Sequence, residues 1–218
     1  MKNPKNSKAM QLIKKITDYG IEGVPPLSSA EDLAQEYLID VSYESADERV
    51  DSLIRWEASK NFTSGFLTGF GGIITLPVSV PAALGASWII QARMAGAIAR
   101  IYGRNLTDDR VRTLVLISLV GDAGKEILKE AGIAFGKKLT AEIIKRVPGR
   151  VLIEINKKIG FRLLTKAGEK GILNLVKAVP FMGGLVGGGF DAATCIAVGK
   201  VAKGMFRGSI KKRPPKKE

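Results

Sequence analysis

Between Asn61 and Ala92 the chain runs for 32 residues without one charged side chain, and no other stretch restricts the fold as much. It is rich in glycine and carries Phe62, Phe66, Phe70 and Trp88. Water is a poor surrounding for such a run, so neighbouring helices or lipid must cover it. Pro77 and Pro81 interrupt it near the middle. Each lacks an amide donor and each disfavours helix in the residue before it, so the pattern predicts a helical hairpin. Its arms hold 16 and 11 uncharged residues. A spanning helix needs about 20, so two full membrane crossings do not fit. Gly65 and Gly69 form a GxxxG that Thr68 and Gly72 extend. This motif lets a second helix approach closely, whether within the domain or inside a bilayer.

The second arm continues as an amphipathic pattern through Leu84, Trp88, Gln91, Ala95, Ile98 and Tyr102, with Arg93, Arg100 and Arg104 on other faces and a stop at Gly103. A second glycine-rich run, Gly183 to Gly189, comes after Pro180 and leads into a last helix from about Phe190 to Phe206. It lacks the Gly-Lys-Ser/Thr ending of a phosphate-binding loop and no strand precedes it, so close packing against the first hairpin explains it better.

The segments between are helical too. Ser28 with Glu31 reads as a capping box, and Ser45 with Glu48 as another. The second opens a helix in which Val50, Leu53, Ile54 and Glu57 share one spacing. Thr107, Asp108 and Asp109 supply a cap and acidic first turn before the apolar run Leu114 to Val120, a predicted centre of the core. Gly121 and Gly124 loosen that helix, and a solvated continuation reaches Gly132. A helix from about Lys138 to Arg146 is expected to stop at Pro148-Gly149. From Arg150 to Ile159, Leu152, Ile155 and Ile159 share one face, while Gly160, Gly168 and Gly171 are expected to divide the next segment into short helices.

The fold class expected is therefore all-α. A single compact domain over residues 28–207 is built around the two glycine-rich apolar hairpins. It is preceded by a polar, partly helical arm (1–27) and succeeded by a disordered basic tail (208–218), too charged and proline-rich to fold.

Chemistry is constrained by what the chain lacks. There is no histidine, which removes the commonest general base, the commonest zinc ligand and every Ser-His or Cys-His pair. The one cysteine, Cys195, lies in an apolar stretch and reads as a buried thiol in a reducing compartment. No secretory signal, cofactor motif or metal cluster is apparent, and the chain is expected to be non-enzymatic.

Net charge is +13, but its distribution is more telling. Residues 1–136 hold 15 Lys/Arg against 16 Asp/Glu, whereas residues 137–218 hold 19 against 5. Such a lopsided segment points to a polyanion, either an anionic membrane leaflet or nucleic acid. The expected contact residues are Arg150, Lys157, Lys158, Arg162, Lys166, Lys170 and Lys177, with Trp88 from the hairpin. A nucleic-acid reader would interleave aromatic rings with these cations. The aromatics after residue 137, Phe161, Phe181, Phe190 and Phe206, instead read as core, so nucleic acid is disfavoured. Arg93, Asp122 and Asp191 sit inside apolar stretches, where an ion needs a partner, and either salt bridges within the core or an outside contact would satisfy them. Asn156 beside Lys157 and Lys158 is a further polar candidate, read as part of a solvated face.

Several ordered blocks resemble the EcsC family of bacterial proteins, from about Leu33 to Phe206. They include Leu53-Ile54-Arg55-Trp56, Gly65-Phe66 through Leu76-Pro77, Gln91-Ala92-Arg93-Met94 through Tyr102-Gly103, Leu119-Val120-Gly121-Asp122, Ile155 through Lys166, and Gly189-Phe190-Asp191-Ala192. The Gln91 to Gly103 block alone is also similar to a GTPase-associated helical family. The EcsC resemblance implies a protein whose founding relative is encoded beside the subunits of an ABC exporter, with no catalytic residues to carry over. The function expected is a non-enzymatic accessory protein at the cytoplasmic face of the membrane, binding anionic lipid, ABC transporter subunits or both. The alternative is a membrane-perturbing, pore-forming-like effector whose hairpins insert.

Overall fold

The computed structural model describes residues 4–62, 82–133, 146–176 and 183–207, with side chains described except at 4–7, 60–62, 82–83, 166–176 and 183–191. Among these residues the chain is all-α and no strand forms. Helix α1 (Pro4–Thr17) runs into a π-helical turn (Asp18–Glu22) and is followed by α2 (Ala30–Ile39) and α3 (Ala46–Phe62). Then come α4 (Ala82–Ile101), α5 (Asp109–Val120), α6 (Ala123–Glu130), α7 (Gly149–Val176) and α8 (Gly183–Phe206).

Helix α4 is the axis of the molecule, in contact with α1, the π-turn, α2, α3, α5 and α8. Its small side chains make that possible. Ala92, Ala95, Ala97 and Ala99 are fully buried together with Ile89, Met94 and Ile98, so the helix is enclosed on every side rather than amphipathic. At Gly96 a Cβ would lie 2.8 Å from the Ala30 Cβ, so α2 crosses α4 closer than any side chain at this position would allow. Trp88 is part of this core, 4% exposed, which corrects its assignment as a surface contact. The predicted core run of α5 holds, with Leu114, Val115, Leu116 and Ile117 all buried.

The N-terminal arm is not an appendage. Ala9, Leu12, Ile13 and Ile16 recur at helical spacing on one stripe of α1, and all four are buried. The long side chains of that stripe contribute roughly 1.5–3 kcal/mol each. Helix α1 packs on α7 at Gly160, where a Cβ would meet the Ala9 carbonyl oxygen at 2.5 Å. Gly160 is therefore the crossing point of two helices, not a break. With Gly168 and Gly171 it lies inside one continuous α7, because packing offsets the cost of about 1 kcal/mol that glycine imposes within a helix.

Local signals set most helix ends. Helix α2 opens one residue later than expected: Ser29 Oγ accepts from the Asp32 amide at 3.0 Å, and Asp32 Oδ2 accepts in return from the Ser29 amide at 3.1 Å. The box is Ser29/Asp32 rather than Ser28/Glu31, which frees Ser28 for another partner. Ser45 does cap α3, accepting from the Glu48 amide, but the Glu48 carboxylate reaches past it to the Glu44 amide. At Gly103, with φ +75°, the Arg104 amide bonds to the Ala99 carbonyl and the Gly103 amide to the Arg100 carbonyl, the paired closure that a left-handed residue permits. Gly132 ends α6 in the same way. Pro148 precedes the first residue of α7, and its carbonyl accepts from Val151 and Leu152. Helix α8 begins at Gly183, well before Phe190, and ends at Phe206 as expected.

The first arm of the hairpin beyond Phe62, Gly65 with Gly69, Pro77 with Pro81, the expected helix up to residue 145, and the basic tail lie outside the described residues.

Candidate functional site

Of the predicted contact cations, Arg150, Lys157, Lys158 and Arg162 have described side chains on α7, and they do not act alike. Leu152, Ile155, Ile159 and Leu163 turn inward and are buried. The opposite face carries Arg150, Ile153, Glu154 and Phe161, all exposed; Arg162 is exposed as well but lies two turns beyond Ile155, on the flank of the helix. Positions 150, 153, 157 and 161 keep helical spacing, so this face is a stripe of alternating cations and large apolar groups. Ile153 is 50% exposed and Phe161 51%. Phe161 is thus a surface residue and not part of the core, whereas Phe206 is fully buried. Its position opposite Ile155 and Ile159 on the helical wheel was the available signal.

Lys157 Nζ lies 2.6 Å from Glu154 Oε1, and Lys158 Nζ 2.6 Å from Glu130 Oε2 on α6. Those two lysines are engaged within the protein. Arg150 and Arg162 have no carboxylate partner among the described residues and remain available to an outside anion. Lys166 and Lys170 belong to α7, but their side chains, like Lys177, lie outside the described residues. Asn156 is half-buried, and its Oδ1 is enclosed without a hydrogen-bond partner among the described residues.

The charges expected inside apolar stretches part company. Arg93 on α4 is buried, with Nη1 3.8 Å from Glu57 Oε2 on α3 and Nη2 donating to Ser28 Oγ at 2.6 Å. Glu57 is itself 1% exposed. The sequence held a signal for this partner, since a carboxylate on the apolar spacing of Val50, Leu53 and Ile54 must be turned inward. Two buried ions need each other, so the geometry reads as a brace joining α3, α4 and the segment before α2. Asp122 is exposed instead, bound to Lys125 at 2.6 Å, and this hydrogen bond and charge hold its carboxyl below the usual carboxylate range. The Asp191 side chain lies outside the described residues.

Trp88 and Asp122 line a small cleft of about 220 Å³ between α4, α5 and α8. Inside it Gln91 Nε2 donates to Ser87 Oγ at 3.1 Å and to Thr194 Oγ1 at 3.4 Å. Behind it Cys195 is fully buried, its Sγ 3.7 Å from Met94 Sδ, which is the packed thiol the sequence implied. No helix among the described residues is long and apolar enough to cross a membrane.

Neither the comparison with curated proteins nor that with solved structures returns a match. A family model does, over residues 3–208, almost the whole chain and including the N-terminal helix that the packing joins to the core. By that match the chain belongs to the EcsC protein family.

Proposed function

We propose that this chain works without catalysis, as a helical accessory protein that docks peripherally on the cytoplasmic face of the inner membrane through the outer face of α7. The observation that carries the reading is the stripe of Ile153 and Phe161, each about half exposed, on the face of Arg150 and with Arg162 exposed on its flank, neither arginine having a carboxylate partner among the described residues. Apolar groups that enter the interface beside cations that meet headgroups are the means by which a helix lies on an anionic leaflet. Each arginine near such a surface contributes about 1 kcal/mol. Burying the exposed parts of the two apolar side chains adds roughly 1 kcal/mol each. The total of about 4 kcal/mol corresponds to a millimolar dissociation constant, so this face alone gives a weak, reversible contact. The charge excess of residues 137–218 adds long-range attraction. ABC transporter subunits, the partner implied by the family resemblance, would then be met from the membrane surface.

The test is co-sedimentation with phosphatidylglycerol and phosphatidylcholine vesicles at moderate salt. The chain is expected in the pellet with the first lipid only, and the double variant R150E/R162E is expected to stay in solution. Equal binding to both lipids, or an unaffected double variant, would refute the proposal. Dye release from sealed vesicles would instead favour the membrane-perturbing reading.

A further inference from the structure

Two large aliphatic side chains stand in water where α2 gives way to the turn before α3. Ile39 is 66% exposed and Val41 95%, the highest values for large apolar residues among those described. A single exposed apolar residue is ordinary, but two at one turn make a patch that asks for a partner.

The charge around this patch has one sign. From Glu31 to Glu48 the chain holds seven carboxylates and no lysine or arginine, within a sequence of net charge +13. Arg49, the next cation, donates to the Tyr37 and Asp40 carbonyls and so closes the end of α2. Several of the carboxylates are engaged inside the chain, Glu31 with Arg100 and Asp47 with Arg207. Glu36 and Glu44 are exposed and have no ion pair among the described residues. Each stands three residues from one of the two aliphatic side chains, Glu36 before Ile39 and Glu44 after Val41.

A surface of opposite sign and matching character lies on the same chain, on the outer face of α7, where Ile153 and Phe161 accompany Arg150 and the flanking Arg162. Both apolar pairs remain exposed together, so neither covers the other within one molecule. Between two molecules the signs select the arrangement. Two α7 faces would set arginine against arginine, and two α2–α3 turns would set carboxylate against carboxylate. Only a turn against an α7 face matches charge with charge and apolar with apolar.

We infer that the α2–α3 turn docks on the α7 face of a second copy of this chain, with Ile39 and Val41 against Ile153 and Phe161 and with Glu36 and Glu44 beside Arg150 and Arg162. The contact joins unlike faces, so it either closes reciprocally in a pair or continues through further copies. Patches of this size give a weak, reversible association. The inference does not rest on the membrane reading, although both use α7, so an α7 face held by another copy is withheld from lipid.

The experiment is sedimentation velocity on the purified chain without lipid, from about 10 μM to about 1 mM, the range in which a small interface associates. At low salt the mean mass should rise with concentration above that of the monomer, and at high salt it should fall back, because the paired charges are screened. The double variant I39S/V41S should stay monomeric; both positions are exposed, and an unchanged melting curve by circular dichroism checks that the fold is kept. The charge reversals E36K/E44K and R150E/R162E should each be monomeric alone and should associate when mixed in equal amounts. In the mixture the reversed turn of the first variant meets the reversed α7 of the second, and the unaltered turn of the second meets the unaltered α7 of the first. A parent chain that stays monomeric throughout, or a mixture that does not associate, would overturn the inference. Since Ile39 and Val41 lie off α7, I39S/V41S should still pellet with phosphatidylglycerol vesicles. Failure of the membrane reading would show as parent chain that self-associates but does not pellet.

Discussion

Replacing Gly160 by alanine sets two known energies against each other. Alanine is the better helix former by about 1 kcal/mol, so in an isolated α7 the change would stabilise. In the folded protein the new Cβ would stand 2.5 Å from the Ala9 carbonyl oxygen, 2.9 Å from its carbon and 3.0 Å from Ile13 Cγ1. Comfortable contact begins near 3.5 Å, so α1 would have to retreat by roughly an ångström. Backbone cannot rotate away as a side-chain tip can. Overpacking of this kind costs about 1–3 kcal/mol, and a rigid obstacle places it at the upper end. Retreat would also loosen Leu12, Ile13 and Ile16 from the core. The net expectation is a loss of about 2 kcal/mol, or about 4–8 °C in melting temperature for a chain of this size. Gly204 in α8 is the control, since a Cβ there would meet nothing within 4 Å. Gly204→Ala should gain up to about 1 kcal/mol. Thermal and urea unfolding tracked by circular dichroism measures both. If Gly160→Ala proved as stable as Gly204→Ala, α1 would not be docked on α7, and its place in the core would be wrong.

Three further outcomes are expected. Arg93→Met or Glu57→Met alone should cost about 3–5 kcal/mol in urea unfolding by stranding a buried charge, and the double variant should recover most of it; additive losses would show that the two do not interact. The Ser29 hydroxyl and amide depress the Asp32 carboxyl, so its stabilisation is present above the unfolded value of about 3.9 and is lost as pH falls through the lower folded value. Asp32→Asn should therefore be less stable than the parent at neutral pH and converge with it once the pH falls below the lowered folded value, as pH-dependent melting would register. Finally, in the Trp56→Phe variant the remaining fluorescence should resist acrylamide, because Trp88 is enclosed by α4 and its neighbours; ready quenching would place Trp88 at the surface.

What sequence alone determined rests on local rules. Turn chemistry ended α4 at Gly103 and α6 at Gly132, because a left-handed residue is needed whatever surrounds the helix. An unbroken apolar run marked α5 as core, and an isolated thiol among small residues marked Cys195 as buried. Tertiary structure decided matters in which two segments distant in the chain must meet. Ser28 and Ser29 are both competent caps, and Arg93 occupies the first, so the helix starts at the second. Gly160 interrupts a helix by propensity and joins two by packing, and only the presence of Ala9 tells which. Asp122 and Arg93 look alike in a linear apolar context, yet a turn after α5 turns one out to water while Glu57 draws the other in. Periodicity specifies which residues share a face, but it does not specify which faces will be covered, since the energy of burial belongs to the pair of surfaces and not to either alone.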